Sequence, residues 1–140
     1  MPTAESTPPP QQASKTLLTV EDADDLREIT ELILRKNGYR VITPATGPAA
    51  LDVLIQHSGK IDLLLTDVVM PHMLGTELAR RVTALHPEIR VLFMSGYPQP
   101  MLGDGGILGE GILLVEKPFT EPVLLAKVEE ALNSEVLVVA

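Results

Sequence analysis

Leu63-Leu64-Leu65-Thr66-Asp67-Val68-Val69-Met70-Pro71 is the stretch whose reading decides the fold. The run from Ile61 to Thr66 is interrupted only by Asp62, which suits a strand covered on both faces. Pro71 cannot continue a central strand, so the strand ends near Asp67. An acid at the C-terminal tip of a central parallel strand sits where open α/β sheets place their chemistry. A lone carboxylate there can equally solvate a loop, so its meaning depends on what the neighbouring strands bring beside it.

Working outward, the same pattern recurs on both sides. Thr16 to Val20 is a short β-prone run that ends at Glu21-Asp22. Leu26, Ile29 and Ile33 then recur at helical spacing as far as Asn37-Gly38, a helix stop. Tyr39 to Thr43 reads as a second strand, and Gly47 to His57 as a helix with Ala50, Val53 and Leu54 on one face. After the deciding stretch comes a helix carrying Leu78, Val82 and Leu85, closed by His86-Pro87. Ile89 to Met94 is a fourth strand that ends at Ser95-Gly96, and Ile112 to Val115 a fifth that ends at Glu116-Lys117-Pro118. Between them, Tyr97 to Gly111 is due a helix, but Gly103, Gly105, Gly106 and Gly109 weaken it at roughly 1 kcal/mol each. That helix is expected to be short, frayed or displaced. Thr120 caps a last helix, with Pro122 in its first turn and Leu124, Val128 and Leu132 inward. Five strand–helix alternations call for a parallel sheet with helices on both faces and right-handed crossovers.

Composition bounds the function. At 140 residues the chain is one domain with short tails. Residues 1–14, rich in Pro, Ser, Thr and Gln, form a disordered tail or linker end; residues 15–134 form the domain; residues 135–140 form an apolar tail. Hydrophobic residues make up 45% and aromatics only 3%, so the core must be aliphatic. The net charge of -8 disfavours nucleic acid and anionic membranes as partners. The absence of Cys removes disulfides, thiolate metal sites and cysteine nucleophiles, and is compatible with a cytoplasmic setting. No apolar run spans a bilayer, and no signal peptide is expected.

The strand ends carry the chemistry: Glu21-Asp22, Asp67, Ser95 and Lys117. In a doubly wound sheet these share one edge. Three carboxylates brought together repel unless a cation sits among them, and oxygen-only ligands suit Mg²⁺, or Mn²⁺ in its place. An ammonium and a hydroxyl opposite complete a site for phosphoryl transfer to a carboxylate. Asp24 and Asp25 fit a helix N-terminus and are read as helix-stabilising, not as ligands. His57, His72 and His86 lack partner spacing and are read as solvent-facing.

Val20-Glu21-Asp22, Thr66-Asp67-Val68-Val69-Met70-Pro71, Met94-Ser95-Gly96-Tyr97 and Glu116-Lys117-Pro118-Phe119-Thr120 together resemble the receiver domain of two-component response regulators, over roughly Lys15 to Ser134. The resemblance implies a flavodoxin-like (βα)5 sandwich with strand order 2-1-3-4-5. It implies Asp67 as phosphoacceptor, with Asp22, Asp67 and the backbone carbonyl of Val69 holding Mg²⁺ and Glu21 acting through water. Ser95 and Lys117 would contact the phosphoryl group, and Lys117-Pro118 would be cis. The donor would be a phosphohistidine on a histidine kinase or phosphotransfer domain. Such a domain is a switch rather than a turnover enzyme.

Other readings compete with this one. A degenerate receiver that only binds partners is opposed by the complete residue set. An Asp-nucleophile phosphatase of the haloacid-dehalogenase kind needs a second acid where Val69 stands. A dinucleotide site needs a Gly-rich turn where Glu21-Asp22-Ala23-Asp24 stands.

The chain also departs from the family. Leu114 occupies a position that is aromatic in many receivers, so the usual hydroxyl-to-aromatic switch cannot operate in that form. Val69 and Tyr97 offer no flexible polar side chain to orient a hydrolytic water, which implies a long-lived phosphoryl group. Phe93-Met94-Ser95-Gly96-Tyr97, Leu114 and Glu116 to Thr120 look most like the receivers of hybrid sensor kinases. Glu135 to Ala140 has β character and would favour self-association as a homodimer if exposed.

Overall fold

The computed structural model describes residues 15–57, 59–96 and 113–134. The weak helix expected over 97–111, together with Tyr97 and both tails, lies outside them. Among the described residues there are five strands: β1 (Thr16–Val20), β2 (Arg40–Ile42), β3 (Leu63–Asp67), β4 (Arg90–Ser95) and β5 (Leu114–Glu116). The described helices are α1 (Asp24–Lys36), α2 (Gly47–Gln56), α3 (Gly75–Leu85) and α4 (Glu121–Asn133). All strand pairs are parallel and the order is β2-β1-β3-β4-β5, which is the flavodoxin-like arrangement.

Strand β3 is buried at every residue and lies between β1 and β4. Its side chains alternate between two cores. Leu64 joins Leu18, Val20, Val91 and Phe93 beneath Ala50 and Leu54 of α2 and Leu78, Ala79 and Val82 of α3. Leu63 and Leu65 join Leu17, Leu92, Met94 and Val115 beneath Leu34 of α1 and Leu124, Val128 and Ala131 of α4. Phe93 is the largest fully buried side chain among the described residues, and aliphatic residues fill most of the remainder.

Several local expectations hold. Gly38 adopts φ 95°, the left-handed conformation a helix-ending glycine supplies. Thr120 caps α4 by accepting a hydrogen bond from the Val123 N–H. The Lys117-Pro118 bond is cis. His57, His72 and His86 are exposed.

The helix faces differ from the simple apolar spacing. Ile29 is 53% exposed and Leu85 57% exposed, while Leu132 is only half-buried. Thr30, Thr83 and Ala131 take the buried positions instead. Small residues let a helix lie close to the sheet, and a stripe read only from large side chains is rotated off the true contact line. Asp62 is likewise not an interruption within β3. It precedes the strand, accepts the Thr16 N–H at 2.9 Å and faces Lys15 and Lys60 at 3.9 and 3.5 Å. Its carboxylate thereby ties the start of β1 to the start of β3.

Candidate functional site

The register assembles the site. Val20 pairs with Thr66, so Glu21 follows beside Asp67. Asp67 pairs with Met94, whose carbonyl accepts the Val68 N–H at 3.0 Å, and Ser95 comes next. Ser95 pairs with Glu116, and the Lys117 N–H donates to the Ser95 carbonyl at 2.7 Å. A one-residue slip in any pair would turn one of these side chains away from the others.

All four of these residues converge, and Asp22 joins them. Carboxylate oxygens of Glu21, Asp22 and Asp67 lie within 4.8 Å of one another. Lys117 Nζ donates to Glu21 Oε1 at 2.6 Å and to Asp67 Oδ2 at 2.8 Å. A cavity of about 290 Å³ opens over them, lined by Asp67, Val69, Ser95, Gly96 and Lys117. Glu21 and Ser95 are each 1% exposed and Asp67 8%, whereas Asp22 is exposed and Val69 is 44% exposed.

Such burial is costly for charge. Asp67 is pushed up to about 6, chiefly by burial; the Lys117 hydrogen bond opposes the rise and the Glu21 charge adds to it. For Lys117, burial pulls the pKa down, but the bonds to Asp67 and Glu21 outweigh it and the pKa lies above the ordinary lysine value. At neutral pH the site therefore holds an ionised Asp67 whose negative charge is only partly compensated.

The donor set fits a small hard cation. It offers only oxygen ligands, has a solvent-facing side for water, and gathers three acids on one centre. Lys117 supplies one positive charge to two of those acids, so the cluster has room for more.

Two residues that serve the site escaped the sequence reading. Arg27 donates to the Glu21 carbonyl at 2.8 Å and to Asp24 at 2.5 Å, fixing the turn that presents Glu21. Its signal was an arginine in the opening turns of α1, below the acids. Gly75, the first residue of α3, lies against the tip of β3; a Cβ there would sit 1.9 Å from the Asp67 carbonyl oxygen. Its signal was a glycine soon after Pro71, ahead of a helix.

The family model of the response regulator receiver domain matches residues 17–129. This chain belongs to that family. The receiver is 34% identical over 118 residues to the response regulator receiver protein CpdR of Brucella abortus, covering 84% of this chain and 97% of CpdR. It is also 34% identical over 122 residues to the sensor kinase CckA of the same organism, covering 87% of this chain but only 13% of the kinase. The solved receiver domain from the hybrid histidine kinase CckA superposes with a TM-score of 0.70 at 31% identity, covering 84% of this receiver and 99% of that chain. The chemotaxis response regulator CheY4 of Vibrio cholerae gives a TM-score of 0.72 at 26% identity, covering 84% and 98%. Among the described residues, no helix of the receiver is long and apolar enough to cross a membrane.

Proposed function

We propose that this receiver is a phosphorylation switch in which Asp67 accepts a phosphoryl group from a phosphohistidine. The observation that carries the reading is the double hydrogen bond of Lys117 to Glu21 and Asp67, set among three gathered carboxylates. A carboxylate oxygen of Asp67 attacks phosphorus, an acyl phosphate forms, and the bond to the imidazole nitrogen breaks with its electron pair leaving on the donor. Lys117 transfers its contact from the carboxylates to a phosphoryl oxygen, and Ser95 donates a hydrogen bond to another. Asp22, Asp67 and the Val69 carbonyl would hold Mg²⁺ (or Mn²⁺), with Glu21 reaching it through water. When bound, that ion neutralises charge on the phosphoryl oxygens. The kinase or phosphotransfer partner is supported by the likeness to CckA and CpdR. The unit that acts is residues 15–134, as a stoichiometric acceptor rather than a turnover enzyme.

The test is incubation with Mg²⁺ and acetyl phosphate followed by intact mass. A single labile adduct is expected. Turnover of many equivalents would point to a phosphatase, and no adduct with any donor would point to a binding module.

The side chain of Val69, exposed at the cavity lip, cannot orient an attacking water. We expect a slowly hydrolysed acyl phosphate, and Val69→Asn should shorten its half-life by about tenfold. Loss of phosphate at the same rate in both proteins would contradict this. Leu114 is buried beside Phe93 on the inner face, so a signal leaving Ser95 has no aromatic lever at that position. The output must use a different movement.

A further inference from the structure

We propose that Gly47 and Gly75 are positioning residues that clamp the loop of residues 68–74 from two sides, and so set where the Val69 carbonyl stands relative to the carboxylates. This rests on the reading of that carbonyl as a cation ligand. The loop is pinned at several points. The Val68 side chain is fully buried and Met70 is 6% exposed. The Met73 N–H donates to the Pro71 carbonyl at 2.8 Å. Val69 lies between the anchors at 68 and 70, its side chain facing out.

The two glycines close on this loop from the first residues of two different helices. Neither has a positive φ, so conformational freedom is not the reason for glycine at either place. Space is the reason. At Gly75 a Cβ would meet the Asp67 carbonyl oxygen at 1.9 Å, the Asp67 carbonyl carbon at 2.9 Å and Val68 Cα at 3.1 Å. All three are backbone atoms of the β3 tip and the loop's root. The Gly75 N–H also donates to the Val68 carbonyl at 2.7 Å, holding α3 at that distance. On the other side, a Cβ on Gly47 would lie 3.0 Å from both Cβ and Sδ of Met73. Gly47 itself cannot easily retreat. Thr46 caps α2 by accepting the Ala49 N–H at 3.1 Å, and Pro48 stiffens the first turn. Met73 is therefore held between the core and the rigid start of α2.

The clamp predicts graded effects, because the Gly75 contact is with backbone and the Gly47 contact is with a side chain that can yield. The measurements are Mg²⁺ affinity by calorimetry at pH 8 and the melting temperature of the metal-free protein, on the full chain. Gly47→Ala should weaken Mg²⁺ binding about threefold or more with little change in metal-free melting. Gly47→Ala combined with Met73→Ala should recover part of the lost affinity, since truncation removes Sδ and Cγ and leaves only the Cβ at position 73 against the new methyl. Gly75→Ala should weaken binding roughly tenfold or more where it folds. Gly59→Ala, whose Cβ would meet only the His57 ring, should change nothing. Wild-type affinity in Gly47→Ala would overturn the clamp, as would a deficit that stays undiminished when Met73 is truncated or that simply follows the melting temperature. Failure of the unsubstituted chain to bind Mg²⁺ would instead overturn the cation reading beneath it.

Discussion

Asp67→Asn should abolish phosphorylation by acetyl phosphate outright, with no adduct in intact mass at any Mg²⁺ concentration. An amide oxygen is a far weaker nucleophile than a carboxylate, and Asn also removes one of three acids from the cluster. Among the described residues, neither of the other two carboxylates of the cluster is placed to replace it. Glu21 is turned into its own loop, with one oxygen accepting the Ala23 N–H at 3.0 Å and the other bonded to Lys117. Asp22 is exposed, outside the cavity lining. An adduct that survives in Asp67→Asn would place the acceptor elsewhere and sink the assignment.

The same variant should change how stability depends on pH. In the folded, metal-free chain Asp67 titrates near 6, against 3.8 when free in solution. The folded state therefore holds this proton more tightly than the unfolded state does. Stability that the protonated group provides below about pH 4 is lost as pH rises through about 6, and the loss is complete above that. For a buried group this amounts to roughly 1–3 kcal/mol. Measured in chelator by urea denaturation, the stability of Asp67→Asn relative to the parent should rise between pH 4 and 6 and then level. A flat difference across that window would show that burial does not tax the charge. Mg²⁺ should reverse the trend in the parent, because it favours the ionised form and stabilises by mass action.

Much of this site was legible in the chain, for reasons visible in β3. A strand buried on both faces cannot tolerate a charge along its length, so Asp67 had to mark the strand's exit. The same logic fixed Glu21, Ser95 and Lys117 as exits of their strands, and parallel register did the rest. What spacing could not reveal were contacts that depend on two separate elements approaching. Gly75 against the Asp67 carbonyl and Gly47 against Met73 are both of this kind. So is His72, which adopts φ 75° inside the loop, a conformation no local pattern announced. The helix faces failed for a different reason. Ile29 and Leu85 satisfied the apolar period yet stay exposed, because Thr30, Ala79 and Thr83 give α1 and α3 a closer and rotated seat. Asp62 also read as a flaw in a strand, though it is a bracket that satisfies the backbone before β3 begins.

Lys117→Gln should act in opposite directions on cation binding and on chemistry. Lys117 Nζ lies within 2.8 Å of oxygens on both Glu21 and Asp67, so an incoming divalent cation must share those acids with an ammonium or displace it. Removing the positive charge relieves that competition, and Mg²⁺ affinity should rise several-fold, with each tenfold step worth about 1.4 kcal/mol. The measurement belongs at pH 8. Without its lysine partner Asp67 is held less firmly in the ionised form, and near neutrality its proton would mask the gain. Phosphorylation should move the other way. Among the described residues the ammonium is the only cationic side chain lining the cavity, and losing such a donor to a developing phosphoryl charge typically costs about 10²–10³ in rate. Tighter Mg²⁺ with slower labelling would separate the two roles of one side chain. If labelling keeps its parental rate, Lys117 serves only to neutralise the resting carboxylates. If Mg²⁺ binds more weakly even at pH 8, the lysine supports the acid cluster instead of competing for it, and the arrangement of Glu21 and Asp67 depends on being held from the β5 side.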